Sequence, residues 1–107
     1  MEKPLYTETD QALVIRLSGE IVMDLAANLK AELTLLIDAT QKPEVVCNMR
    51  RVDFMDSSGV GLLIGIRRLC QDKGKAFSVA DPSPAIRKLI SVLRLTEFFA
   101  IAPADAS

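Results

Sequence analysis

This sequence predicts an α/β layer fold: a mixed, largely parallel sheet of four to five strands with three main helices packed on it. Three observations carry the expectation. The chain opens with two short strand-like runs joined by a tight turn. It then alternates helix-period and strand-period segments. Proline and glycine fall at the joints rather than inside the strands. The expected order is β-β-α-β-α-β-α-β, and strands alternating with helices in this way build a largely parallel sheet.

Leu5 to Thr9 alternates briefly, and Asp10-Gln11 makes a turn into Ala12 to Leu17, where Leu13, Ile15 and Leu17 line one face. Ser18-Gly19 is expected to end that strand. Asp24 is placed to cap a helix reaching about Asp38, with Leu25, Leu29, Leu33, Leu36 and Ile37 on one stripe. Pro43 stops it. Val45 to Met49 reads as a short strand buried on both faces. A second helix is expected from near Ser57 to about Lys73, with Val60, Leu62, Leu63, Ile66, Leu69 and Cys70 inward and Gly74 ending it. Gly59, Gly61 and Gly65 are costly in a helix, up to about 1 kcal/mol each against alanine, and point to close approach by the sheet or by a partner. Ala76 to Val79 is a strand. Ser83-Pro84 is an N-cap followed by a first-turn proline, with Ile86, Leu89, Ile90 and Leu93 inward. Phe98 to Ile101 suits a last edge strand, and Ala102 to Ser107 an unstructured tail on a single domain spanning residues 1–107.

Composition removes several functions. Net charge is −1, so no long-range field gathers nucleic acid or an anionic bilayer, and Arg50-Arg51 and Arg67-Arg68 read as solvated charges near element ends. There is no histidine, hence no Ser-His-Asp or Cys-His arrangement and no histidine metal site. Cys47 and Cys70 sit in hydrophobic segments without a CxxC spacing and read as buried, reduced thiols. The polar start Met1-Glu2-Lys3-Pro4 lacks a signal-peptide core, and no apolar run approaches a membrane span. A cytoplasmic protein without direct membrane insertion is expected.

The chemistry concentrates in Val52-Asp53-Phe54-Met55-Asp56-Ser57-Ser58-Gly59-Val60-Gly61, which follows a strand and opens a helix. Asp56 or Ser57 can serve as N-cap, and the first turn presents unpaired backbone N–H groups. A phosphate on Ser57 would meet those groups and the positive end of the helix dipole, adding about −1.5 to −2 charges without unfolding the domain. The plainer alternative is that Asp-Ser-Ser-Gly is only a good capping sequence.

Asn48-Met49 followed by Val52 to Leu63 resembles the signature of STAS-domain anti-sigma factor antagonists. Ile15-Arg16-Leu17-Ser18-Gly19-Glu20-Ile21 is similar to the family's second strand, and Ser83 to Leu89 to its third-helix opening. The resemblance runs from about Leu13 to Phe99. It implies the STAS fold and a partner-switching protein that binds a serine-protein-kinase anti-sigma factor and thereby frees the sigma factor. It implies no catalytic site, no cofactor and no metal. The kinase would inactivate the protein by phosphorylating Ser57, and a PP2C-type phosphatase would restore it. Asp56 would orient the loop, Ser58 would be a spare serine, and Gly59 would permit the tight helix start. The implied partner-binding set is Asp56, Ser57, Ser58, Gly59 and Gly61, together with Glu20, Ile21, Val22, Met23 and Asp24 from the neighbouring loop. Where many relatives carry an aspartate after Gly-Glu-Ile, this chain has Val22 and Met23, either an exposed apolar contact or residues tucked into the core. The family's closing helix has no counterpart after Ile101, which would leave an edge for self-association, as a monomer or weak homodimer.

A phospho-aspartate receiver would need an acidic pair after its first strand for Mg²⁺, where Leu17-Ser18-Gly19-Glu20 offers one carboxylate. A serine hydrolase would need a Gly-x-Ser-x-Gly elbow and a base. Gly59-Val60-Gly61 lacks the third glycine and the lysine of nucleotide-binding loops. The serious alternative stays within the resemblance: a STAS regulatory subunit of a lipid-transport ABC transporter, a stressosome, or secretion or motility control.

Overall fold

The computed structural model describes residues 4–101, so the tail expected over Ala102 to Ser107 lies outside the described residues. Seven elements follow one another: β1 (Leu5–Glu8), β2 (Ala12–Ile21), α1 (Met23–Ala39), β3 (Glu44–Met55), α2 (Ser57–Asp72), β4 (Ala76–Ala80) and α3 (Pro84–Val92). The sheet order is β1-β2-β3-β4. β1 runs antiparallel to β2, while β2, β3 and β4 run parallel. The opening hairpin turns at Thr9, whose N–H donates to the Ala12 carbonyl at 2.8 Å and whose hydroxyl accepts from the Ala12 amide at 3.1 Å.

Strand register sorts the sheet into two faces. The rows Leu13–Val45–Phe77 and Ile15–Cys47–Val79 lie across the sheet toward the helices. All but half-buried Phe77 are sealed in the core, together with Leu29, Leu33 and Ile37 of α1, Leu63 and Ile66 of α2, and Ile86 and Ile90 of α3. The opposite rows, Val14–Val46–Ser78 and Arg16–Asn48–Ala80, are half-buried except for exposed Arg16. β3 is therefore not buried on both faces as expected: Val46 and Asn48 alternate with the sealed Val45, Cys47 and Met49.

Both central strands outrun their sequence signals. β2 does not end at Ser18-Gly19 but continues to Ile21, and β3 continues past Met49 to Met55, through register irregularities between Arg16 and Ser18 and between Gly19 and Glu20. Gly19 takes φ +78°, a left-handed turn of the backbone that a side chain would resist, so the strand bends there without breaking. One consequence is that Arg50-Arg51 lies inside β3 and Arg67-Arg68 inside α2, not near element ends.

The expected last strand does not form. Residues 96–100 coil into turns, with the Phe99 amide donating to Leu95 and the Ile101 amide to Thr96, at 3.0 and 3.1 Å. The Phe99 side chain is sealed in the core, which fixes the backbone in that curl. Its carbonyl still accepts the Val79 amide at 3.0 Å, a single bond on the β4 edge. Arg67 clamps the turn, donating from Nε to the Phe98 carbonyl at 2.9 Å and lying 4.0 Å above the Phe98 ring.

Helix ends written locally in the sequence form as expected. Past α2, Gly74 takes φ +70°, its amide donates to Gln71, and the Lys75 amide donates to Cys70 at 2.8 Å, a Schellman closure. Ser83 caps α3 by accepting the Ile86 amide at 3.4 Å, with Pro84 next, and its own hydroxyl donates to the Val52 carbonyl at 2.6 Å. α1 behaves differently: its N-cap is Val22, with no side-chain cap, and Asp24 stands exposed in the first turn.

Cys47 and Cys70 are free and fully buried. Burial pushes the Cys47 thiol up to about 12, with the neighbouring Cys70 sulfur adding to it. Burial likewise pushes Cys70 up to about 11, partly offset by the Lys75 ammonium. Both thiols therefore stay protonated and closed to nucleophilic chemistry at neutral pH. Among the described residues no helix is long and apolar enough to cross a membrane.

Candidate functional site

The end of β2, the start of α1, the end of β3 and the start of α2 meet at one corner of the sheet. Glu20 pairs with Phe54 and Ile21 with Met55, so the two strands finish side by side. α2 then begins at Ser57, with Asp56 as its N-cap. Of the two capping residues the sequence allowed, the aspartate takes the role.

Asp56 holds both helices at once. One carboxylate oxygen, Oδ1, accepts the Gly59 amide of α2 at 3.1 Å. The other, Oδ2, accepts the Met23 amide of α1 at 3.2 Å. This explains why Asp24 does not cap α1: the first free amide of that helix is already satisfied by a carboxylate 33 residues away. Met23 opens α1 with φ +45°, a conformation costing about 1–2 kcal/mol for a residue with a side chain. The Asp56 bond helps to hold it there.

Ser57 and Ser58 occupy the first and second positions of α2 and are both exposed. Their amides have no acceptor within the helix, as at any helix start. The Ser57 hydroxyl thus stands in solvent at the positive end of a 16-residue helix, beside the half-buried Asp56 carboxylate. A phosphoryl group has room there without disturbing any side chain of the core.

Gly59 is buried because the helix start lies hard against the strand ends. A Cβ on it would stand 2.5 Å from the Ile21 carbonyl oxygen and 3.0 Å from the Met55 Cβ. Gly61 is different: a Cβ there would meet nothing within 4 Å, so close approach within the fold does not explain it. Gly65 lies under a side chain, with the Lys30 Nζ 3.0 Å from where its Cβ would be.

Met23, Ser58 and Gly61 come together with Ala26, Ala27, Lys30 and Leu62 around a groove of about 260 Å³ between α1 and α2. Val22 is half-buried and Met23 is 71% exposed, so the pair splits the two alternatives: Met23 is presented to solvent while Val22 partly tucks in. Glu20 and Asp24 are exposed, and Ile21 is sealed with its carbonyl against α2. Ala26, Ala27 and Lys30 join this groove from α1, outside the two loop segments that the sequence singles out. The signal for this packing is Gly65, whose missing side chain leaves room for Lys30 of α1 to lie across α2. Among the described residues there is no group of three or more histidine, cysteine, aspartate or glutamate side chains placed to hold a metal ion.

Comparison with known proteins places this corner in context. A family model described as the STAS domain matches residues 3–106. The chain is 32% identical over 89 residues to an anti-sigma F factor antagonist of Lysinibacillus sphaericus, a match covering 83% of this chain and 76% of that protein. Among solved structures, it is similar to the anti-sigma factor antagonist SpoIIAA in its unphosphorylated form, with a TM-score of 0.75 and 28% identity over 95% of this chain and 90% of that one. It is also similar to the Bacillus cell fate determinant SpoIIAA in the phosphorylated form, with a TM-score of 0.69 and 28% identity over 95% and 93% of the two chains.

Proposed function

We propose, since the chain belongs to the STAS-domain family of anti-sigma factor antagonists, that it is a partner-switching protein of that kind, turned off by phosphorylation of Ser57. Unphosphorylated, it docks on an anti-sigma factor and frees the sigma factor. The docking face is the corner formed by Glu20 to Asp24 and Asp56 to Gly61. The anti-sigma factor is itself a serine protein kinase, which moves the γ-phosphoryl group of ATP onto the Ser57 oxygen as the hydroxyl proton leaves. A PP2C-type phosphatase hydrolyses the ester and returns the serine. The chain is acceptor and ligand rather than enzyme, and it works in the cytoplasm.

The single observation that supports this most is the exposed Ser57 hydroxyl at the first position of α2, next to an aspartate whose two carboxylate oxygens are both engaged. Asp56 fixes where the serine stands. The helix start tolerates the added charge, and the surface around it becomes more negative. A contact shaped for a neutral hydroxyl then meets bulk and repulsion, while nothing in the core moves.

Incubation with the cognate kinase and labelled ATP tests the assignment. Label is expected in the wild type and in Ser58→Ala, and none in Ser57→Ala. Label persisting in Ser57→Ala, or absent from every form, would overturn it.

A further inference from the structure

Exposed apolar side chains scattered over a surface need no explanation, but Met23 differs from the others in its backbone. It is 71% exposed and takes φ +45°. Four described non-glycine residues have positive φ, and beside Asp81, Arg94 and Ala100 it is the only large apolar one. A long side chain keeps that conformation only where its surroundings hold it. Met23 is held from a distance. Its amide donates to Asp56 Oδ2 at 3.2 Å, while Oδ1 of the same carboxylate accepts the Gly59 amide at 3.1 Å. A glycine at position 23 would meet no such strain.

The groove that Met23 shares with Ser58 and Gly61 shows the same preference. Gly61 forgoes a methyl for which there is room. Two neighbouring positions therefore carry residues that the fold alone would trade: methionine where glycine would relax the backbone, and glycine where alanine would firm the helix. Together they set a flexible thioether beside an open floor, next to the exposed Ser57. Such a side chain adapts to an irregular apolar pocket. Its setting is acidic. Glu20 and Asp24 are exposed near it in the chain and Asp56 is half-buried beneath it, whereas Lys30, the cation of the groove, stands about 10 Å further along α1.

We propose that Met23 is the specificity-determining residue of the docking face, seating in an aliphatic pocket with a basic rim on the anti-sigma factor, and that Asp56 is the positioning residue that presents it. The inference rests on the docking reading above and adds to it the chemistry of the partner's surface. Calorimetric titration against the purified anti-sigma factor, without ATP so that Ser57 stays unmodified, tests both parts, with thermal melting of each variant alongside. Met23→Ala should bind about tenfold or more weaker and melt no lower than wild type, since the side chain is exposed. Met23→Leu should recover most of that loss. Met23→Lys should bind more weakly than Met23→Ala, because a basic rim repels it. Asp56→Asn keeps an acceptor for the Gly59 amide but turns a donor toward the Met23 amide. It should weaken binding, yet add no further loss in the Met23→Ala background, because its effect passes through the methionine. Equal binding by wild type and Met23→Ala, recovery by Met23→Lys as full as by Met23→Leu, an unweakened Asp56→Asn, or additive losses in the double variant would each overturn the proposal while wild-type binding leaves the docking reading standing. A wild type that does not bind at all would overturn both.

Discussion

Gly59→Ala is expected to lower the melting temperature by about 4–24 °C, whereas Gly61→Ala, two residues on in the same helix, raises it by a few degrees. The added methyl at position 59 would lie 2.5 Å from the Ile21 carbonyl and 3.0 Å from the Met55 Cβ, and the first of these is backbone that cannot rotate aside. Overpacking of that kind costs about 1–3 kcal/mol, and the helix start would have to lift off the strand ends to relieve it. A domain of this size loses about 4–8 °C per kcal/mol. At position 61 the methyl meets nothing, so only the helix gain of about 0.5–1 kcal/mol remains. That gain comes at the groove shared by Met23 and Ser58, so the same change should weaken docking of the anti-sigma factor. A glycine kept where alanine would stabilise is what a contact surface requires, not what the fold requires. Thermal denaturation of the two variants, followed by circular dichroism, separates the cases; equal losses at both positions would mean that helix packing, and not the partner, accounts for Gly61.

Ser57→Asp is expected to weaken binding to the anti-sigma factor at least tenfold and to leave the melting temperature unchanged or raised by a few degrees. The serine is exposed at the start of α2, so a carboxylate there gains from the helix dipole by about 0.3–1 kcal/mol and displaces no core atom. The same charge placed in a docking face beside Asp56 brings like charges together where the partner expects a hydroxyl, and misplaced charge in an interface costs several kcal/mol. Calorimetric titration against the purified anti-sigma factor measures the first effect and thermal melting the second. A large fall in melting temperature would place the effect in the fold rather than at the interface.

The parts of the fold that sequence made legible are those whose cause is local. Ser83-Pro84 and Gly74 carry their cap chemistry within a few residues, and both ends form as the residue types dictate. The stripe of Leu29, Leu33 and Ile37 states the buried face of α1 by spacing alone. What escaped was set by distant partners. Asp24 looked like the cap of α1 because nothing nearby reveals that Asp56 supplies the acceptor across the sheet. β3 reads as short because its apolar run stops at Arg50 and Arg51, and only the register with β2 turns that interruption into a bulge. Phe98 to Ile101 has strand composition, but sealing Phe99 in the core curls the backbone into turns. In the site, the Asp56-Ser57-Ser58-Gly59 run was visible as a motif, whereas the opposite environments of Gly59 and Gly61 were not, since sequence treats the two glycines alike.

The proposed switch rests on a charge added at a surface that leaves the interior untouched. The amide spectrum of the protein before and after stoichiometric phosphorylation tests this most directly. Shifts confined to residues 20–24 and 56–61, with Leu13 to Leu17 and Val45 to Met49 unmoved, are the predicted result. Shifts running through those central strands, or no change around the start of α2, would contradict it.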